Sequence, residues 1–334
     1  MGTLKRPTPA ELMQFDAIAR HLRLGKRWAG PEMVADAVAA SIARADPILA
    51  GVAPRGELVA AMLASHYHVR FEEVRTARDI DVLEDRYLRR KRELGFAQLR
   101  DELQNPKVDA LLFQRVHAAE DDPDRWVAVL NLLITDDRRY WNKFHELSHR
   151  IAEPPQRLLP FRRQRVDDRN AVEALIDTIA GELAFHRRLF RPFVGAAAGG
   201  VLTIQAIRSI RDAFAPTASL LAVMNAVVAL WPRPALAFVG RVRGRVHDDR
   251  VDRALRVEMQ GRNGPARRSG LYMIPNMRVP KASTVHAAAQ YKQERTEYER
   301  LAIWDTSEGT HLPDLQALVS ATPVGAQVYC LVSM

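Results

Sequence analysis

The sequence predicts an α+β chain: a mainly helical domain with a small sheet, then a helical segment, then a C-terminal α/β module. Three observations predict it. Helical patterns opened by capping residues dominate up to about residue 231. Short runs rich in β-branched and aromatic residues interrupt them at His66–Val74, Val108–Val116 and Trp126–Ile134. Beyond Pro232 and Pro234 the texture changes, and strands outnumber helices. The organisation read from this is 1–60 N-terminal helices, 61–192 a mixed domain, 193–231 a helical segment that resembles a helix-turn-helix, and 232–334 an α/β module. At 334 residues, 47% of them hydrophobic, the chain has length for two or three cores.

Thr8-Pro9-Ala10-Glu11 is a capping box with proline at the first helical position, and it opens a helix running to about Leu24. Further helices are expected over Glu32–Ala45 and Arg55–Ser65, and a long polar one over Asp79–Leu103. The acidic, proline-containing turn between Val116 and Trp126 predicts a hairpin. Thr135-Asp136-Asp137 offers N-caps for a helix over Arg138–Ala152, stopped by Pro154-Pro155. A basic loop leads to a helix over Arg169–Leu189. After Gly199-Gly200 come two more, Thr203–Phe214 and Thr217–Leu230. In the last module Ala235–Arg241, Ala254–Gln260, Gly270–Ile274, Glu299–Asp305 and Ala326–Val332 read as strands, and Ser283–Tyr291 and Leu312–Ser320 as helices.

The longest apolar runs, Phe193–Leu202 and Leu220–Trp231, fall short of the roughly 18 residues a membrane helix needs. No secretory signal is visible at the N-terminus, and Cys330 is the one cysteine. The expectation is a cytoplasmic protein without membrane contact or a cysteine-based metal cage. The net charge of +9 comes with 42 Arg against 7 Lys, many of them alternating with Asp and Glu. Nucleic-acid binding is therefore expected to be at most weak and non-specific.

His145-Glu146-Leu147-Ser148-His149 is an HExxH motif on a predicted helix. Histidines four apart share a helical face, so both imidazoles can reach one metal ion. Glu146 then stands where it can take a proton from a metal-bound water. A zinc site of this kind needs a third protein ligand and an open position. No third histidine follows. Glu173 lies 24 residues beyond His149, in Glu173-Ala174-Leu175-Ile176-Asp177. Glu-x-x-x-Asp puts two carboxylates on one face: one for the metal, the other to accept the free N–H of a ligand histidine. Glu182 and Glu153 compete with Glu173 as third ligand. Glu153 ranks last, since beside Pro154 it would have to fold back. Asp177 is either the histidine's partner or a surface group. His66 and His68, expected to share a strand face, read as ordinary histidines, and His186 and Tyr140 as candidates to stabilise an oxyanion.

The segment Tyr140–His149 resembles the HExxH core of the ImmA/IrrE metallopeptidase family, Glu173–Phe185 its second core helix, and Thr203–Val228 the helices that follow. The resemblance spans about residues 60–230. Ser148 stands where glycine is commoner, Arg187–Pro192 replaces a Leu-Met-Pro ending, and the stretch before HExxH is longer than usual. The resemblance implies a zincin-like domain of gluzincin type, binding one Zn²⁺ per chain through His145, His149 and Glu173, with Glu146 as the base. Two histidines and a carboxylate also accept Mn²⁺. It further implies an endopeptidase that cleaves a helix-turn-helix repressor and so switches on stress-response or mobile-element genes. Some members carry a GAF-like sensor domain, which residues 232–334 match in size and strand content. The alternative is a DNA-binding regulator with a non-catalytic metal site, using Thr203–Leu230. Thr217–Leu230 is nearly all apolar, which suits a core better than a base-reading helix.

Overall fold

The computed structural model describes residues 7–25, 31–105, 108–133, 138–154, 161–164, 171–244, 253–304 and 314–334. The chain is a mixed α and β protein that divides into two compact units, Met1–Leu189 and Phe190–Met334. The N-terminal helices thus share a unit with the HExxH segment, and the helical segment after residue 193 belongs with the C-terminal strands.

The first unit opens with α1 (Pro9–His21), whose capping box forms as expected: the Thr8 side chain accepts from the Glu11 N–H, and Glu11 Oε2 accepts from the Thr8 N–H at 2.6 Å. Helices α2 (Pro31–Ile48) and α3 (Gly56–His66) follow. Strand β1 begins only at Val69 and runs to Val74. His66 ends α3 and His68 sits in the left-handed region at φ 55°, so the two do not share a strand face.

The long helix expected over Asp79–Leu103 is broken. The chain forms α4 (Ala77–Leu83), a π-helical turn at Glu84–Arg90, a 3₁₀ turn at Leu94–Gln98, and α5 (Leu99–Gln104). The reason is packing. Tyr87 and Phe96 are nine residues apart, and about 100° per residue would put them on opposite sides of a straight helix. The break brings both rings to one side, with centroids 4.6 Å apart, and Phe96 stacks on Phe113 at 4.3 Å. Arg92 at φ 56° supplies the reversal.

Strands β2 (Val108–Gln114) and β3 (Trp126–Asn131) form the expected antiparallel hairpin. With β1 parallel to β3, and β4 (Phe161–Gln164) antiparallel to β2, the sheet order is β1-β3-β2-β4. One face, with Leu111, Phe113, Val127 and Val129, packs on the layer holding Ile80, Leu83, Tyr87 and Phe96. Helix α6 (Arg139–Ala152) also packs on β2 and β3, and on α2, α3 and α7 (Ala171–Ala184). Helix α8 spans Arg187–Ala197, so the helix expected to Leu189 is interrupted at Phe185 and His186.

In the second unit α9 (Ile204–Phe214) and α10 (Leu220–Leu230) are capped by Thr203 and Ser219. Strands β5 (Ala235–Arg243), β6 (Ala254–Arg262), β7 (Arg295–Arg300), β8 (Gln316–Val324) and β9 (Gln327–Ser333) form an antiparallel sheet of order β6-β5-β9-β8-β7. Two short helices, α11 (Gly264–Arg268) and α12 (Thr284–Tyr291), lie between β6 and β7. One sheet face, with Phe238, Val319, Ala321 and Cys330, packs on Val285 and Ala288 of α12. Thr322, next along β8 and so facing the other way, accepts a hydrogen bond from Arg208 of α9 at 3.1 Å. Helix α10 packs on β5 and β6, with Val223, Met224, Val227 and Val228 buried.

Three expectations for this unit are corrected. The described part of Leu312–Ser320 is not a helix; it enters β8, a central strand buried on both faces, where alternation is lost and the apolar run reads ambiguously. Gly270–Ile274 joins no ladder; instead the Gln260 side-chain amide donates to the Met273 carbonyl and accepts its N–H. The strand placed at Glu299–Asp305 lies earlier, at Arg295–Arg300, and a 3₁₀ turn follows at Leu301–Trp304. The caps at Thr135–Asp137 and most of the basic loop with Arg165 lie outside the described residues.

Candidate metal centre

Helix α6 is buried on nearly every side from Tyr140 to Ala152, which fixes its rotation about its own axis. His145 and His149 each keep about 1% of their side chains exposed, and Glu146 is fully buried. Ser148 turns its hydroxyl to the Phe144 carbonyl at 2.7 Å.

Helix α7 brings the carboxylates. Its apolar stripe of Val172, Leu175, Ile176, Ile179 and Leu183 is buried, which turns Glu173 and Asp177 together toward α6. Both ends of α7 are held from outside. Glu11, already in the capping box of α1, uses its second oxygen to accept the Ala171 N–H at 2.7 Å. Tyr140 donates its hydroxyl to the Ala184 carbonyl at 2.6 Å. The Tyr140 ring fits because residue 56 is glycine: a Cβ there would overlap the hydroxyl and lie 2.9 Å from Cε2 and Cζ.

The result is a converging group. The two Nε2 atoms are 3.1 Å apart. Glu173 Oε2 is 3.3 Å from His145 Nε2, and Glu173 Oε1 is 3.7 Å from His149 Nε2. Each Nδ1 faces its own carboxylate, His145 to Asp177 at 3.0 Å and His149 to Glu153 at 3.1 Å. With the Nδ1 protons directed to those acceptors, two Nε2 lone pairs and a carboxylate point at one spot. They would repel one another around anything but a cation. Ligands bound at about 2.05 Å on a tetrahedron stand about 3.3 Å apart, so the spacing of this group suits a zinc-sized ion. His145, His149 and Glu173 could hold a metal ion, and no other such group occurs among the described residues.

Without a metal the cation is a proton. Burial works against charge on His149, but Glu153, Glu173 and Glu146 outweigh it and push its pKa up to about 10. Burial likewise raises the Glu173 pKa, and the two imidazoles overcome that and bring it below the usual value. Glu173 keeps 25% of its side chain exposed.

The other candidates lie elsewhere. Glu182 is bonded by Arg187 through both oxygens, at 2.9 and 3.1 Å, and does not join the group. His186 is buried and lines a cavity of about 560 Å³ with Asp46 and Glu182. The Tyr140 hydroxyl is committed to the Ala184 carbonyl, where it ties two helices rather than facing a substrate. Glu153, ranked last as a ligand, does fold back, onto Nδ1 of His149 rather than into the metal group. The available signal was its i+4 spacing from His149. The part played by Glu11 has no local signal, because its partner is 160 residues away.

No protein-family model matches the chain, and no curated protein matches it.

Proposed function

We propose that this chain is a zinc-dependent endopeptidase whose substrate is a helix-turn-helix repressor. The observation that carries the peptidase reading is the convergence of His145, His149 and Glu173, with Glu146 buried one residue along the same helix. Two imidazoles and one carboxylate are a donor set that Zn²⁺ takes, leaving a fourth position open. When bound, Zn²⁺ supplies a Lewis acid that acidifies a coordinated water and polarises the scissile carbonyl. Asp177 holds the Nδ1 proton of His145, so that this imidazole presents Nε2. The Glu146 carboxylate accepts the attacking water's proton and later delivers it to the leaving amine. The choice of a repressor as substrate follows from the resemblance of Tyr140–His149 and Glu173–Phe185 to the ImmA/IrrE family, and so does the reading of the C-terminal unit as a GAF-like sensor. An antiparallel sheet with helices on both faces supports the second of these. The DNA-binding alternative is disfavoured because α10 spends its apolar face on the sheet.

The test is Glu146→Gln. The amide keeps the shape of the side chain and leaves the three ligands in place, but it cannot take the proton. Zinc content should equal that of the unmodified protein, while cleavage of a helix-turn-helix repressor offered as substrate should fall about 10²–10⁴-fold. Undiminished cleavage with zinc retained would remove Glu146 as the base.

A further inference from the structure

We propose that Glu153 is a positioning residue of the metal centre, orienting His149 through Nδ1 and thereby setting metal affinity. The inference rests on the metal-centre reading above and extends it to a residue that is not a ligand.

The local sequence makes the arrangement. Proline at 154 disfavours helical backbone at 153. Glu153 accordingly leaves α6 in extended conformation, at φ −102° and ψ 146°, while its N–H still donates to the His149 carbonyl at 2.9 Å. That turn swings the side chain back along the helix it has just left, and Oε2 reaches His149 Nδ1 at 3.1 Å. One residue thus grips His149 twice, by backbone and by side chain. Glu153 keeps only 7% of its side chain exposed, so the contact is shielded from water.

The ring needs this contact. His149 lies in the last turn of α6. Rotating an imidazole by half a turn about its Cβ–Cγ bond replaces Nδ1 by carbon at the same place and turns Nε2 away from its target. A carboxylate at Nδ1 selects the orientation in which Nε2 lies 3.1 Å from His145 Nε2 and 3.7 Å from Glu173 Oε1. Its charge also strengthens Nε2 as a donor. The design is doubled: Asp177 serves His145 at 3.0 Å from α7, and Glu153 serves His149 from the end of α6 itself. Removing such a partner costs about 10–100-fold in metal affinity.

The experiment measures Zn²⁺ affinity by chelator competition for the full chain and for Glu153→Gln and Glu153→Ala, with folding followed by circular dichroism. Glutamine keeps an acceptor for the Nδ1 proton and loses the charge, whereas alanine loses both. The expected order is wild type tightest, Gln weaker, and Ala weakest by about 10–100-fold, with partial rescue by Gln relative to Ala. The visible absorption of the Co²⁺-loaded Ala variant should shift, because a reoriented ring changes the ligand field, which a loss of packing elsewhere would not. An alanine variant with wild-type affinity and an unchanged Co²⁺ spectrum overturns the proposal. Should the alanine variant fail to fold, a glutamine variant with wild-type affinity overturns it as well. A wild-type chain that takes up no Zn²⁺ overturns the metal-centre reading itself, a result distinct from either of these.

Discussion

Gly56 and Tyr140 form a coupled pair whose energetics can be worked from the structure. Tyr140 joins three elements: it leaves α6, lies against Gly56 at the start of α3, and donates to the Ala184 carbonyl at the end of α7. In Gly56→Ala the new methyl overlaps the hydroxyl, so the ring must move and the 2.6 Å hydrogen bond must stretch or break. Overpacking costs about 1–3 kcal/mol. Leaving a buried carbonyl unsatisfied adds about 1–3 kcal/mol, and the stiffer unfolded chain returns about 0.4–1 kcal/mol. The expected loss is therefore about 3 kcal/mol, within a range of about 1–5 kcal/mol. Tyr140→Phe removes only the hydroxyl and should cost about 1–3 kcal/mol. In the double variant the worst overlap is gone, although the 2.9 Å approaches to the ring carbons remain, and the hydrogen bond can no longer be lost a second time. The two costs should fall short of additivity by about 1 kcal/mol or more. Urea unfolding of the four proteins with EDTA present measures this, since it keeps metal binding from moving the midpoints. Additivity within about 0.5 kcal/mol would refute the claim that both changes act on one contact.

Metal analysis separates the competing carboxylates: His145→Ala and Glu173→Ala should lose bound zinc, whereas Glu182→Ala, whose carboxylate is held by Arg187, should keep it. The raised His149 pKa has a defined sign. Its proton stabilises the metal-free fold fully below the ordinary histidine value near 6.5, and that contribution is lost as pH climbs through about 10. Stability of the zinc-free protein, followed by urea unfolding at stepped pH, should include a declining contribution over that window that His149→Ala lacks. Zinc affinity should rise over the same window, because the ion displaces that proton. An affinity flat from pH 6.5 to 9 would show that no proton is displaced.

The candidate metal group was legible in sequence wherever its geometry is local. HExxH on a helix fixes which side chains share a face, and Glu-x-x-x-Asp does the same on the next helix, because helical periodicity depends on nothing beyond the segment itself. The hairpin of β2 and β3 and the capping box of α1 were legible for the same reason. Glu153 was half legible: its spacing from His149 is local, but whether it joins the converging group or faces Nδ1 depends on what else packs there.

Sequence alone determined the helix that carries HExxH and the shared face of its two imidazoles, and the residue types that can complete a cation site. Tertiary structure decided the rest, because its causes lie far apart along the chain. The break in Asp79–Leu103 is imposed by Tyr87 and Phe96 meeting Phe113. The choice of Glu173 over Glu182 follows from the rotation of α7, which its buried stripe, Glu11 and Tyr140 set together. The reading of β8 as strand rests on neighbours at both edges and layers on both faces, which its own residues do not encode. Local periodicity places a side chain on a face. Only packing decides what that face meets.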